Sequence, residues 1–300
     1  MGHSVSKSST IDFVSIGVCA FIWGTTWYAI TFQLGAIDPL VSVCYRFALA
    51  GVLMLGWAKL RGEKILLEPR QYAPVLGTGF FTFAANYPLV YLAEERLTSA
   101  IVAVCFAGHS LANTIVFRFL LGDRASLSTW LGGLLGAAGV ALTSWNELTD
   151  ADLGARAQIG LAIAVAAVFG AAVGNLWARK SQESGAPIIA STGWAMASGA
   201  AILAVFIPLS GRSFEFDPHA PYVLSLLYLA VFGSVVAFWL YYSLAQRRGF
   251  GLASYIGALS PIMAMIVSAL FEAKIWGPLA FVGIAVVLVG QWVMLRPART

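Results

Sequence analysis

Apolar stretches of about twenty residues, divided by short polar clusters, run the whole length of this chain. They fall at roughly 11–31, 40–58, 71–92, 98–117, 125–145, 157–178, 186–209, 219–245, 252–271 and 275–295. About twenty apolar residues in a helix cross a hydrocarbon core of roughly 30 Å. Within each stretch the apolar residues surround every face instead of forming one stripe, as helices do when they touch both lipid and one another. The pattern predicts an all-α, polytopic membrane protein of ten transmembrane helices. It excludes a membrane barrel, whose strands would read as alternating segments of about ten residues.

Composition narrows what else the chain can hold. Of its 300 residues, 59% are hydrophobic and only 11% are charged, where a soluble domain would carry about 25% charged. Loops and two tails use up what the spans leave, so no soluble catalytic or binding domain fits. Residues 1–10 read as a polar cytoplasmic tail, and with no small-residue cleavage site after the first apolar span that span reads as an uncleaved helix. Cys19, Cys44 and Cys105 are odd in number and lie within spans, which argues against a disulfide framework.

The net charge of +4 is explained by where the charges sit. With the N-terminus inside, thirteen Lys and Arg face the cytoplasm (Lys7, Lys59, Arg61, Lys64, Arg70, Arg118, Arg124, Arg179, Lys180, Arg247, Arg248, Arg296 and Arg299). Four (Arg96, Arg156, Arg212 and Lys274) face the other side. Cytoplasmic loops of membrane proteins carry this excess, so both termini are expected in the cytoplasm and the protein in a bacterial inner membrane.

The second half echoes the first. At an offset of 151 residues Gly132 meets Gly283, Gly139 meets Gly290, and Ile115-Val116 meets Ile266-Val267; at 152 Leu92-Ala93 meets Leu244-Ala245. At 146 Gly24 meets Gly170, and at 148 Pro39 meets Pro187. Five spans per half is odd, so the copies must be inverted across the membrane, the sequence mark of secondary transporters. The expected units are a first five-helix repeat at 11–145, an extracytoplasmic linker at 146–156, a second repeat at 157–295 and a cytoplasmic tail at 296–300.

Several short motifs then carry a family resemblance over about residues 11–295. Trp23-Gly24-Thr25-Thr26-Trp27 resembles the tryptophan-glycine-small signature of the drug/metabolite transporter superfamily. Tyr45-Arg46-Phe47-Ala48-Leu49 resembles its second-helix arginine-phenylalanine pattern, and Leu259-Ser260-Pro261-Ile262 its second-repeat proline turn. Gly132 and Gly139, with Gly283 and Gly290, match the glycines of each repeat's last helix. The closest branch is the ten-helix EamA type. The chain departs from it at Asp123, where glutamate is usual, and at the corresponding place after helix nine, which falls on Lys274 or, with a two-residue slip, on Glu272. The resemblance implies alternating access around a cavity ringed by spans one, three, four, six, eight and nine, with five and ten outside the ring. With the aromatic content it points toward an aromatic amino-acid exporter.

Candidate chemistry is sparse. There is no P-loop, no serine elbow, no histidine pair at metal-binding spacing and no pair of intramembrane aspartates, so an enzyme is not expected and no cofactor is implied. The expected partners are a small-molecule substrate and the lipid bilayer, with no nucleic acid and a monomer as the working state. Arg46 and His109 are the ionisable groups deep in the spans. A central arginine costs on the order of 3 kcal/mol to insert, so it should face the interior and find a partner. Its readings are a structural clamp onto carbonyls or an acid, and a cavity group. His109, with Asn113 one turn on, is either a packing residue or a donor to substrate whose charge follows pH. No carboxylate lies mid-span, and Glu94 and Glu95 close span three at the outer surface. That absence argues for a neutral or zwitterionic cargo moving without a strict coupling ion, with His109 as the exception.

The aromatics add a positive signal. Trp57, Trp130, Trp145, Trp276 and Trp292 sit near span ends, as interfacial belts do. Trp23 and Trp27 on span one, Phe83, Asn86, Tyr87 and Tyr91 on span three, and Trp239 and Tyr242 on span eight form two inverted collars. Around His109 they would suit a flat, amphipathic solute. The expected substrate site is Trp23, Trp27, Phe83, Asn86, Tyr87, Tyr91, His109, Asn113, Asn175, Trp239, Tyr242 and Ser260. Structural or gating roles fall to Arg46, to Pro88 and Pro261 as bend points, and to Gly170 and Gly174 as a smooth helix face. Aromatic and large neutral amino acids are the leading cargo; drugs, purines or other metabolites, with proton coupling through His109, are the alternative.

Overall fold

The computed structural model describes residues 4–35, 37–149, 154–272 and 275–294, and every regular element among them is helical. The main helices are α1 (Ser4–Thr31), α2 (Pro39–Leu60), α3 (Pro69–Glu94), α4 (Ser99–Leu121), α5 (Leu127–Thr143), α6 (Gly154–Glu183), α7 (Ile188–Leu209), α8 (Ala220–Arg248), α9 (Tyr255–Phe271) and α10 (Pro278–Met294). Seven of them are long and apolar enough to cross a membrane; α5, α9 and α10 are shorter apolar helices. The chain is a polytopic membrane protein. Lys274, residues 150–153 of the expected linker and the expected 296–300 tail lie outside the described residues. Helix α1 begins at Ser4, inside the segment expected to be a tail.

Local chemistry sets the ends. Asp38 caps α2, its Oδ1 accepting from the Leu40 amide at 2.8 Å, and Pro39 occupies the first turn, where its missing N–H costs nothing. Ser126 Oγ accepts from the Thr129 amide at the start of α5. Helix α4 stops at Gly122, whose φ of +77° only glycine adopts without strain. The expected continuous fourth span is broken at Ala107–Gly108, and the carbonyl freed at Ala107 accepts from Gln291 Nε2 of α10 at 2.5 Å. His109 is the first residue after that break.

Helices α3 and α8 each widen into π-helical turns, over Gly79–Asn86 and Val231–Val236. The two starts, Gly79 and Val231, are 152 residues apart, the offset that aligns Leu92-Ala93 with Leu244-Ala245. Such turns close hydrogen bonds five residues apart and gather at functional sites. In α3 the cause is partly local: Pro88 has no N–H for the Ala84 carbonyl and its ring crowds that oxygen.

The packing has a simple logic. Helix α2 packs on α7, and α5 on α10; α1 packs on α8 and α9, as α6 does on α3 and α4; α7 packs on α3, as α2 does on α8. Exchanging each helix for the one five places along maps this set of contacts onto itself. Small residues allow the closest approaches. A Cβ on Gly290 would lie 2.5 Å from the Gly132 carbonyl, and one on Gly139 2.6 Å from that of Gly283, so α5 and α10 meet almost backbone to backbone. Gly24 brings α1 against Met263 and Ser260 of α9 in the same way.

Candidate substrate site

Where these helices cross, a cavity of about 80 Å³ remains. One water takes about 10–15 Å³ on this measure, so the space suits a small solute. Its wall comes from α1 (Trp23, Thr26, Trp27, Ile30), α2 (Arg46), α3 (Thr82, Asn86, Tyr87, Val90), α4 (Phe106, His109), α6 (Ala171, Asn175), α8 (Phe238, Tyr241) and α9 (Gly257, Ser260). Helices α5 and α10 contribute no residue to it.

One side is a polar network. Asn175 Nδ2 lies 2.8 Å from Tyr241 Oη, 3.1 Å from His109 Nε2 and 3.2 Å from Asn113 Oδ1. Asn113 Nδ2 in turn donates to Ser254 Oγ at 3.0 Å. Two amide protons thus serve three neighbours, His109 among them. Asn86 Nδ2 donates to the Ala167 carbonyl at 2.6 Å and braces α3 on α6.

Much of the remaining wall is aromatic, with Tyr241 shared between the two groups. Trp23 packs on Phe238 and Tyr241 at ring-centre distances of 5.4 and 5.2 Å, and Trp27 packs on Phe106 at 5.1 Å. Tyr87 and Phe83 stack at 6.4 Å. These separations are typical of paired aromatic rings.

Arg46 belongs to the same wall, only 1% exposed. Its Nε donates to Ser234 Oγ at 3.0 Å and its Nη2 to the Gly233 carbonyl at 3.5 Å, both in the π-helical turns of α8. Its guanidinium carbon lies 4.6 Å from the centre of the Tyr87 ring. Nη1 is buried without a hydrogen-bond partner, and so is Nε1 of Trp27 across the cavity. Trp23 Nε1 donates to the Gly233 carbonyl at 3.2 Å, which ties α1 to α8 at the same spot.

Of the residues expected at the site, Trp23, Trp27, Asn86, Tyr87, His109, Asn175 and Ser260 line the cavity. Asn113 stands one bond behind, through Asn175. Phe83 is fully buried and supports Tyr87, Phe47 and Phe238 without reaching the space. Tyr91 is buried on the far side of Arg46. Trp239 and Tyr242 turn away: Trp239 meets Trp57 at 5.1 Å, and Tyr242 faces a recess lined by Gln182 and Thr192. Phe238 and Tyr241, one residue earlier, take their place. The π-helical turns just before them absorb extra residue, and one residue is worth about 100° of rotation.

Of the expected structural residues, Arg46 is both a clamp and part of the wall. Pro88 and Pro261 are buried within α3 and α9, and Pro261 removes the helical donor for the carbonyl of cavity-lining Gly257. Gly170 faces Asn86, and Gly174 presses on Thr82 with no room for a Cβ. Glu94 differs from its sequence reading: it ends α3 yet is only 7% exposed, with neither carboxylate oxygen hydrogen-bonded.

Larger recesses open on either side of the cavity. One of about 700 Å³ is lined by Leu34, Glu94, Arg96 and Arg156, and one of about 500 Å³ by Phe117, Asp123, Arg179 and Phe250. Tyr241, Phe250 and Phe117 pack edge to face in series from the cavity toward the second recess, at 6.2 and 6.0 Å. At that end Asp12 holds Arg247 at 3.2 Å and Arg248 at 2.6 Å, and Asp123 holds Arg179 at 2.6 Å. At the other end Arg156 donates to the Glu95 carbonyl.

Comparison with known proteins decides the family, for the EamA-like transporter family matches twice, over residues 13–145 and 158–296. The chain belongs to the EamA-like transporter family. Members are membrane transporters, not enzymes. The chain is 28% identical to the uncharacterized inner membrane transporter YedA of Escherichia coli (strain K12), over 93% of this chain and 90% of that protein. It is 24% identical to protein PecM of Dickeya dadantii (87% and 83% covered) and 24% to protein PagO of Salmonella typhimurium (81% and 79%). A crystal structure with 19% identity superposes with a TM-score of 0.72 over 97% of this chain and 96% of its own, sharing the fold.

Proposed function

We propose that this EamA-like transporter moves small amphipathic solutes by alternating access, with aromatic and other large neutral amino acids as the leading cargo. The observation that carries this reading is the central cavity, lined by aromatic rings together with amide, imidazole and hydroxyl groups. Rings supply area for a flat apolar body, and the polar groups orient its other end. The ten helices then make ten crossings in two inverted five-helix repeats. The doubled family match, the self-mapping contacts and the paired π-helical turns support that reading. The basic clusters Lys59–Lys64 and Arg247-Arg248 support cytoplasmic termini, and the inner-membrane relative YedA supports an inner-membrane location. Export is the working direction. The recesses at either end, each barred from the cavity, support alternating access.

Transport without a strict coupling ion is the first reading. Glu94 favours a second, proton-coupled one, because it is a buried carboxylate without a hydrogen-bond partner, and such groups within spans mark proton pathways. Uptake of radiolabelled phenylalanine into proteoliposomes tests both readings, with competition by other amino acids and by purines. Saturable uptake without any ion gradient supports the uncoupled carrier. Uptake only under an imposed pH gradient supports coupling, and Glu94→Gln and His109→Ala then separate the two sites. No uptake under either condition, with purines failing as well, sinks the cargo assignment.

A further inference from the structure

The wall of the cavity is electrically one-sided. Arg46 is its one residue with a permanent charge, and no carboxylate among the described residues lines the space. No carboxylate among them lies within 4.0 Å of the guanidinium either. Tyr91 Oη is near the guanidinium, and Glu94 lies beyond ion-pair distance of it. A buried guanidinium without a counter-charge is costly. Its Nε and Nη2 are held by Ser234 and the Gly233 carbonyl, which fixes the fork in one orientation. Nη1 is left unpaired, and Trp27, whose Nε1 is unpaired too, belongs to the same wall. Both atoms can only donate. Two buried, unpaired donors on one small cavity, one of them cationic, call for an acceptor that carries negative charge.

We infer that the cargo of this carrier is a monocarboxylate with an aromatic or branched apolar body, its carboxylate bound by Arg46 Nη1 and Trp27 Nε1. This rests on the reading of the cavity as the transport site and sharpens it. An amino acid satisfies the carboxylate end, but its ammonium meets only neutral oxygens such as those of Thr82, Asn86 and Ser260. The body fits against Trp23, Phe106 and Phe238. A cationic solute brings like charge to Arg46 and is rejected.

The test is direct binding to purified wild-type protein by calorimetry, using four probes with one body: 3-phenylpropanoate, phenylalanine, 3-phenylpropanamide and 2-phenylethylammonium. A hydrogen bond to a charged group contributes about 1.5–3 kcal/mol, so the acid should bind about 10- to 100-fold more tightly than the amide. Phenylalanine should fall between them and the ammonium last. Arg46→Gln should erase the gap between acid and amide, and Arg46→Lys should keep part of it. The comparison between ligands needs no variant, so misfolding of Arg46→Gln leaves it intact. An amide within about threefold of the acid overturns the carboxylate site, and so does an ammonium that binds best. If phenylalanine or purine uptake persists in proteoliposomes after that result, the carrier reading stands alone. If none of the four probes binds and no flux is seen, both fall.

Discussion

The two π-helical segments occupy matching places in the two halves but are gripped in opposite ways. In α8 the grip is polar, because Arg46 of α2 reaches Ser234 and the Gly233 carbonyl. In α3 it is dry. A Cβ on Gly199 of α7 would lie 2.8 Å from the Gly79 carbonyl, and one on Gly79 2.7 Å from the Ala195 carbonyl. The offset of 148 sets Trp194 opposite Arg46, and its indole N–H is spent on the Ile65 carbonyl at 2.8 Å. One backbone device is thus used twice, with packing holding one copy and a charge holding the other. The contacts map onto themselves while the electrostatics of the cavity come from one half.

Breaking the dry grip should have the largest effect. Gly199→Leu drives a side chain into Phe83 and the Gly79 carbonyl, and overpacking of this kind costs about 1–3 kcal/mol or more. A markedly lower Tm in detergent is expected; an unchanged Tm would mean that the close approach is not needed.

Removing the polar grip should act on transport and not on stability. In Arg46→Met the Ser234 hydroxyl keeps its bond to the Leu229 carbonyl, and the Gly233 carbonyl keeps Trp23. Replacing a buried charge by an apolar residue is often neutral or stabilising. The expected result is a Tm equal to or above that of the wild type, with uptake lost. A large drop in Tm would make the clamp, and not the cavity, the main role of Arg46.

Smaller changes sharpen the contrast. Tyr241→Phe removes the hydroxyl bonded to Asn175, a neutral hydrogen bond of about 1 kcal/mol, and uptake affinity should weaken by about fivefold. Ser234→Ala frees the Arg46 fork from one anchor and should weaken carboxylate binding by a few-fold. Trp239→Phe should leave uptake unchanged, since that ring packs on Trp57 outside the cavity; a change in selectivity would put the collar back on the face read from the sequence.

How far the site could be read in the chain follows from the same residues. Trp23, Trp27, Asn86, Tyr87, His109, Asn175 and Ser260 were legible, because polar and aromatic groups stand out against apolar helices. Phe238 and Tyr241 were not, because helical periodicity assumes 3.6 residues per turn and nothing local in Val231–Val236 announces wider turns. Phe83 and Tyr91 share the chemistry of the site and differ only in which way their helix faces. Glu94 was placed at a surface by its position at a span's end; its burial depends on what packs around it.

The sequence by itself determined the membrane class, the helical content and the doubled plan. Apolar run length and the demand that every backbone N–H and C=O be satisfied in lipid admit few other answers. Tertiary structure decided which face of each helix meets the cavity, which groups are buried without a partner, and that Arg46 supplies the wall's one permanent charge. Those depend on rotation and close approach between helices distant in sequence. A shift of one residue at a π-helical turn is enough to exchange one set of side chains for another.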